Sequence, residues 1–311
     1  MKSRTRKAAK VQVLLGGSLA GRIDLRITVA NCDSLLVHGT MLADCHMHTY
    51  LCGHAIGEPA DYVRAAASRG IDLITFTCHV PMSDEDSFSG EGIRMRYDDL
   101  PRYRDLVAEA RAVGEGEGVE VLYGIEGEYF PEESRLTEQW QLLEQESFDF
   151  VLCSLHHQLP CFREWLYRLG SAEAIAAAYF GLVAQAAKTG KYDSIAHPDL
   201  IRIYNTIPPF APETQEKAIR EMLAVVAESN TCLEVNTSGL SKQIYELHPA
   251  PAILAWAAEA GVKLTLGSDS HCQEQVGQHF PEVLDLLSQL GFEKLHYYRG
   301  RKRFDYAISA S

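Results

Sequence analysis

From position 41 onward the chain alternates between two rhythms. Short β-rich runs read "LADCHMHT" (42–49), "IDLITFTCH" (71–79), "VEVLYGIEGE" (119–128), "FDFVLCSLHH" (148–157), "YDSIAHP" (192–198), "TCLEVNTSG" (231–239) and "VKLTLGSDSH" (262–271). Between them lie segments with apolar residues at helical spacing, among them "ADYVRAAASRG", "LPRYRDLVAEARAVG", "SAEAIAAAYFGLVAQAAKTG", "PETQEKAIREMLAVVAESN" and "HPAPAILAWAAEAG". Several of these end in Gly or Asn, the usual stop of a helix C-terminus. Seven strand–helix units in about 270 residues predict a single α/β domain closed as a barrel. A doubly wound open sheet is the alternative, but it usually carries a Gly-rich phosphate loop after its first strand. Histidines occupy that place here. "DEDSFSGEGIRM" (84–95) is the most loop-like stretch, and no repeat, low-complexity tract or linker divides the chain.

The predicted strands end in unusual residues. Seven of the twelve histidines, His46, His48, His54, His79, His156, His197 and His271, fall at a strand end or in the loop directly after it, and Glu126 and Asp269 hold equivalent places. In a parallel α/β barrel the C-terminal strand ends converge on one mouth, where active sites are built. Nine potential metal ligands from six strands therefore meet there. A lone strand-end histidine is more often structural than ligating; repetition at strand after strand has no structural explanation. Residues two apart on a strand face the same way, so His46 and His48 share a side, as do Asp269 and His271, while Cys45 and Met47 point elsewhere. By the same parity Asp44 is expected to orient a ligand imidazole from behind, and His157 to point away from its neighbour His156. His38, His248, His279 and His296 lie off the pattern and read as ordinary residues. Imidazole with carboxylate suits zinc, iron or manganese. Nine ligands exceed what one ion uses, so two to three clustered divalent ions fit, an arrangement suited to phosphoester hydrolysis.

Composition adds limits. Apolar residues make up 46% and charged residues 23% of the 311 positions, as in ordinary globular proteins. The net charge of −13 argues against a nucleic-acid partner, although a local pocket for a small phosphorylated substrate can still be positive. No apolar run approaches the ~20 residues of a membrane helix. The eight cysteines form no CxxC pair and read as reduced thiols of a cytoplasmic protein, with Cys45 and Cys52 as packing residues. Residues 1–40 stand apart, holding seven Lys or Arg against two acids. "VQVLLGGSLAG" loosely resembles a signal peptide, but it is short, contains Gly16-Gly17 and is soon followed by Arg22 and Asp24. The expectation is a basic extension that is either disordered or the product of a start placed too far upstream, followed by one catalytic domain over 41–311. Nothing in the composition indicates the oligomeric state.

These motifs resemble the polymerase-and-histidinol-phosphatase (PHP) superfamily, and within it the histidinol-phosphate phosphatases. "DCHMHT" looks like the first motif; His54 and His79 follow at the family's spacing; "GIEGEYFPE" places Glu126 in the bridging position. "DFVLCSLHH" puts His156 on the metal, "IAHPDLIR" supplies His197, and "GSDSH" supplies Asp269 and His271. "EVNTSGL" and "RYDDLPRY" are similar to segments of the histidinol-phosphatase branch, although Ser241 and Lys242 stand where an arginine is common. The resemblance runs from about Met41 to Phe304. It implies a distorted (β/α)7 TIM-like barrel, the PHP fold, with two to three ions of zinc, iron or manganese, and cleavage of L-histidinol phosphate in histidine biosynthesis. Glu126, Asp269 and His271 are the expected catalytic residues, and a metal-bridging hydroxide the expected nucleophile. Arg202 is the expected phosphate grip, Lys242 and Arg94 are further candidates, and Glu128 is the candidate for the substrate's ammonium. The competing readings are a PHP phosphoesterase acting on nucleotides or other small phosphates, a nuclease or proofreading module, and a metal-binding protein without turnover.

Overall fold

The computed structural model describes residues 41–82, 93–203 and 211–308. The expectation about residues 1–40 lies outside them. Each of the seven β-rich runs contains a strand: β1 (Ala43–Met47), β2 (Leu73–Phe76), β3 (Glu120–Glu128), β4 (Phe150–Ser154), β5 (Ser194–Ile195), β6 (Cys232–Asn236) and β7 (Leu264–Gly267). They pair in parallel, in chain order. Nearly every strand residue is buried, because helices cover the outer face and the inner face is packed. That is why the strands read as continuous runs rather than as alternations.

Among the described residues, eight α-helices lie in the connections: α1 (Pro59–Ser68), α2 (Leu100–Glu117), α3 (Thr137–Gln145), α4 (Pro160–Tyr167), α5 (Ala172–Lys188), α6 (Glu216–Glu228), α7 (Pro251–Glu259) and α8 (Phe280–Gln289). In α6 the buried residues are Ile219, Met222, Leu223 and Val226, an i, i+3, i+4, i+7 stripe, and its outer face carries the Arg220–Glu216 pair at 2.6 Å. The Ala-rich α5 is capped by Ser171, whose side chain accepts from the Ala174 N–H at 3.1 Å.

The barrel closes between β1 and the segment that follows β7, where Met47 bridges Ser270. His48 N donates to Ser270 O at 2.9 Å and Ser270 N to His46 O at 3.3 Å. This seam brings the "DCHMHT" and "GSDSH" segments side by side. The two-residue β5 marks the distortion of the ring.

Two further strands, β8 (Lys294–Arg299) and β9 (Lys302–Ala307), extend the sheet to nine strands beyond the seven expected units. They form an antiparallel hairpin joined to β7 by one pair, Thr265 with His296. The hairpin runs across the N-terminal strand ends: Arg299 pairs with Glu120, Gly300 N donates to Asp149, Tyr298 Oη to Asp193 O, and Tyr306 Oη to Ala43 O. It plugs the floor of the barrel, opposite the mouth.

Arg301 Nε reaches Asp193 Oδ2 at 2.6 Å at this floor. Burial pushes Asp193 up to about 6 against the pull of Arg301. Its folded value exceeds the ordinary value of about 3.9, so ionised Asp193 costs stability above pH 6 and the cost fades as pH falls toward 4. Arg301→Ala is therefore expected to lower stability by roughly 2 kcal/mol at pH 8, a value reduced for the partial exposure of the arginine, and by less at pH 5. Denaturant melts at the two pH values check this, and equal losses would contradict it.

Candidate metal centre

His46 and His48 project from β1 to the same side, and their Nε2 atoms meet at 3.1 Å. Asp269, from the loop after β7, places Oδ1 3.7 Å from His46 Nε2 and 3.3 Å from His48 Nε2. Glu126, on β3, is the hub. Its Oε2 lies 3.6 Å from both of those nitrogens and 2.6 Å from His79 Nδ1; its Oε1 lies 3.2 Å from His197 Nε2 and 3.6 Å from His156 Nε2. The His271 ring stacks on His48 at 4.2 Å between centroids and meets His54 at 4.4 Å. All nine residues singled out by their strand-end positions are thus brought to one place. His197 (φ 26°) and Asp269 (φ 51°) reach it from left-handed backbone, a strain commonly held at functional sites.

Several rings are fixed from behind. His46 Nδ1 contacts Glu234 Oε1 at 2.7 Å, and Glu234 Oε2 accepts from His197 N at 2.8 Å and from Asn236 Nδ2 at 3.0 Å. His156 Nδ1 contacts Glu128. His54 and His271 place Nδ1 3.0 Å from the carbonyls of Cys52 and Asp269. Glu234 escaped the sequence reading; the available signal was an acid inside the apolar run of β6. Asp44 does not touch an imidazole as expected. It accepts from Ser268 N, Ser268 Oγ and Gly277 N, and so anchors the loop after β7.

The inward-facing atoms test whether cations fit. His79 Nδ1 and Glu126 Oε2 lie 2.6 Å apart without the geometry of a hydrogen bond, and His271 Nε2, with His48 Nδ1 and His197 Nδ1 on the other edge of their rings, is likewise buried without a hydrogen-bond partner. Native interiors leave few such atoms unmatched, and here they are mostly lone-pair donors lying close together. Within 4.8 Å of one another lie ligand atoms of His46, His48 and Asp269; of His79, Glu126 and His156; and of His48, His79 and His271. A set of imidazole nitrogens and carboxylate oxygens suits zinc, iron or manganese.

Charge supports the same reading. Burial opposes ionisation of Glu126, but His79, His46 and His156 hold it well below the ordinary carboxylate range; Lys242 and His46 do the same for buried Asp269. Burial works against protonation of His46 and His48. Glu234 and Glu126 nevertheless hold His46 well above its usual value, while Asp269 and the Cys78 thiol hold His48 up to about 9. Burial keeps His54 and His79 low and brings His271 down to about 3, which leaves these rings neutral and able to ligate.

Comparison with known proteins agrees with this geometry. The family model described as "PHP domain" matches residues 44–238. The chain belongs to the PHP family. A relative from Deinococcus radiodurans named "Probable histidinol-phosphatase" is 32% identical, over 81% of this chain and 95% of its own. A Schizosaccharomyces pombe protein of the same name is 26% identical, over 80% and 87%. Among solved structures, histidinol phosphate phosphatase from Lactococcus lactis, complexed with zinc, L-histidinol and phosphate, superimposes with a TM-score of 0.67 at 20% identity. That match covers 85% of this chain and 98% of the other and supports the distorted TIM-barrel fold.

In this PHP chain a cavity of about 820 Å³ opens over the cluster. Lys242 and Arg94 stand on its wall, and each already has an acidic partner: Lys242 Nζ lies 2.9 Å from Asp269 Oδ2, and Arg94 pairs with Glu128. Two expectations are corrected. Arg202 does not line the cavity; it is buried in an ion pair with Asp199 (2.6 Å) and Glu246, which occupies its charge. Glu128 is fully buried behind His156, held by that ring and Arg94, so it orients an imidazole instead of facing a substrate. His157 turns its Nε2 to Leu200 O at 3.3 Å, away from the cluster, although the residue borders the cavity. The wall also holds Arg163, Gln158 and Tyr167, which lie on or beside α4 and carry no strand-end signal.

Glu234→Ala is expected to weaken metal binding about 10- to 100-fold with the fold retained; calorimetric titration measures it, and unchanged affinity would refute the role. A second expectation concerns pH. His48 titrates near 9, above its ordinary value of about 6.5, so its proton stabilises the metal-free protein at low pH and that contribution fades as pH rises through 9. A cation must displace this proton. Metal affinity should therefore rise between pH 6.5 and 9 with net proton release, measurable by calorimetry in buffers of different ionisation enthalpy.

Proposed function

We propose that this protein hydrolyses L-histidinol phosphate to L-histidinol and phosphate as a step of histidine biosynthesis, using two to three divalent ions of zinc, iron or manganese. The observation that carries the reading is the meeting of His46, His48, His54, His79, Glu126, His156, His197, Asp269 and His271 beneath a cavity whose wall bears Arg94, Arg163 and Lys242. The names of its relatives, and the L-histidinol and phosphate in the Lactococcus lactis structure, support the substrate. The free thiols among the described residues fit a reducing compartment, the cytoplasm. Residues 41–311 form the catalytic unit.

Bound ions would supply Lewis acidity and an activated water at neutral pH. The chain's own residues do the rest. Glu126 offers one oxygen toward His46, His48 and His79 and the other toward His156 and His197, so it is placed to join neighbouring ion sites. Lys242 and Arg163 attract the phosphate dianion into the cavity, and Arg94 adds positive charge behind Glu128. Gln158 Oε1, buried and without a partner, accepts an N–H from the substrate's polar end. Leu159, Leu200 and Ile203 give the cavity an apolar side for the uncharged part of a small substrate.

One observation favours a second reading, a PHP phosphoesterase acting on nucleotides or other small phosphates. Among the described residues the only carboxylates on the cavity wall are Glu126 and Asp269, which leaves no separate acid for an ammonium. Phosphate release from histidinol phosphate, nucleotides and simple phosphomonoesters decides between them. Histidinol phosphate is expected to lead by roughly 100-fold in kcat/KM, activity to vanish on chelation and return with manganese or zinc, and metal analysis to find two to three ions per chain. Equal rates across the panel would favour the second reading.

A further inference from the structure

Two of the free thiols meet beside the metal centre and take no part in the chemistry above. Cys52 closes a 3-10 turn, Tyr50–Cys52, and Gly53 follows at φ 79°, a left-handed conformation that suits glycine. Cys78 lies just past the end of β2, one residue before His79. The two sulfurs are within 4.8 Å of each other, and both residues are fully buried. Thr49 holds them in this arrangement. Its side chain caps the turn by accepting from Leu51 N, its Oγ1 lies 3.4 Å from Cys78 Sγ, and its carbonyl accepts from the Cys78 S–H at 3.8 Å. On the other side Cys78 N donates to Tyr103 Oη at 3.1 Å, which donates in turn to Gly124 O at 2.9 Å. Both segments carry ligands: His79 follows Cys78, and His54 Nδ1 is held by the Cys52 carbonyl at 3.0 Å.

We propose that Cys52 and Cys78 form a redox-modification site: a small hydroperoxide oxidises the pair to a disulfide, a thiol reductant restores it, and the disulfide form holds metal less well. The proposal rests on the metal centre described above and not on the identity of the substrate. With hydrogen peroxide, one sulfur attacks a peroxide oxygen, the O–O bond breaks, and a sulfenic acid and water result. The second sulfur then attacks the first, the S–O bond breaks, and a second water leaves with the remaining thiol proton. Two thiols thus give up two electrons, and the peroxide takes them. A molecule of that size reaches the pair from the cavity, whose wall includes His54 and His79, within two positions of the two cysteines. Burial slows the first attack, but the second sulfur is at hand, so a sulfenic acid formed here ends as a disulfide before it can oxidise further. A disulfide needs its sulfurs about 2.05 Å apart, so closure draws the 50–52 turn and the end of β2 together. That movement displaces the carbonyl that orients His54 and the backbone that carries His79. In a reducing compartment such a bond is transient and serves sensing, not structure.

The test is treatment of the full, zinc-loaded chain with hydrogen peroxide, read by peptide mass mapping after alkylation and by metal count. Zinc is chosen because it has no redox chemistry of its own. Peroxide is raised until the partly exposed Cys272 is oxidised, which shows that the reagent has acted. The wild type is expected to yield peptides joined through Cys52 and Cys78, to lose at least one ion per chain, and to regain it with dithiothreitol and added zinc. Cys78→Ser should keep its zinc under the same treatment. Oxidised Cys272 without a Cys52–Cys78 link overturns the proposal, as does a link that leaves the zinc count unchanged or an equal zinc loss in Cys78→Ser. Circular dichroism identifies a variant that fails to fold, in which case the wild-type map and its reversal by dithiothreitol decide alone. Because no substrate enters the measurement, failure of the histidinol-phosphate reading leaves this result standing, and a missing link leaves that reading standing.

Discussion

Glu126 has no solvent exposure at the centre of the barrel mouth, and a carboxylate in such a place costs several kcal/mol unless positive charge or hydrogen bonds answer it. Five imidazoles supply the answer, facing its two oxygens from four other strand ends. Those rings must then be held in turn, and Glu234 and Glu128 hold His46 and His156 from behind. Each buried polar group thus creates the need for the next, which is why this end of the barrel is lined by His, Asp and Glu where branched apolar residues usually fill the interior. Among the buried atoms left without a hydrogen-bond partner, His79 Nδ1, Glu126 Oε2 and His271 Nε2 are ones a cation would use.

Concentrating so much polarity at one end requires the remainder of the fold to be closed by other means. The seam between β1 and the segment after β7 ties the first and last ligand segments by backbone hydrogen bonds that do not depend on the ligands themselves. At the opposite end the β8–β9 hairpin covers the N-terminal strand ends through Glu120, Asp149 and Asp193. Asp199, fully buried, binds Arg202 and His248 and accepts from Ala250 N. This network ties the β5 loop to the start of α7 and uses up a charge that would otherwise be available to a phosphate.

Much of this was legible along the chain. Seven strands stood out because each parallel strand is buried on both faces and so reads as an apolar run. The nine ligand candidates stood out because strand ends and residue parity are local properties. The β8–β9 hairpin was harder to see, since "KLHYYRGRKRFDYA" is polar and half exposed and belongs to no strand–helix unit. Glu234 was hidden for a different reason: it contacts His46 across 188 positions of sequence, and no local pattern encodes such a pairing.

The division between the two kinds of information follows from range. Order along the chain sufficed for the fold class, the location of the mouth and the ligand candidates, because those depend on periodicity and on which end of a strand a residue occupies. Whether a charged or sulfur-bearing residue faces the cavity or another protein group was decided only in three dimensions. Arg202 and Arg163 are both arginines beyond strand ends, yet one is spent on Asp199 and Glu246 while the other stands on the cavity wall. Cys52 and Cys45 look alike in the same short motif, and only the left-handed turn at Gly53 brings one sulfur to the histidines. Electrostatic and coordination partners are set by distances of a few ångströms between segments far apart in sequence, and only the packed barrel defines those distances.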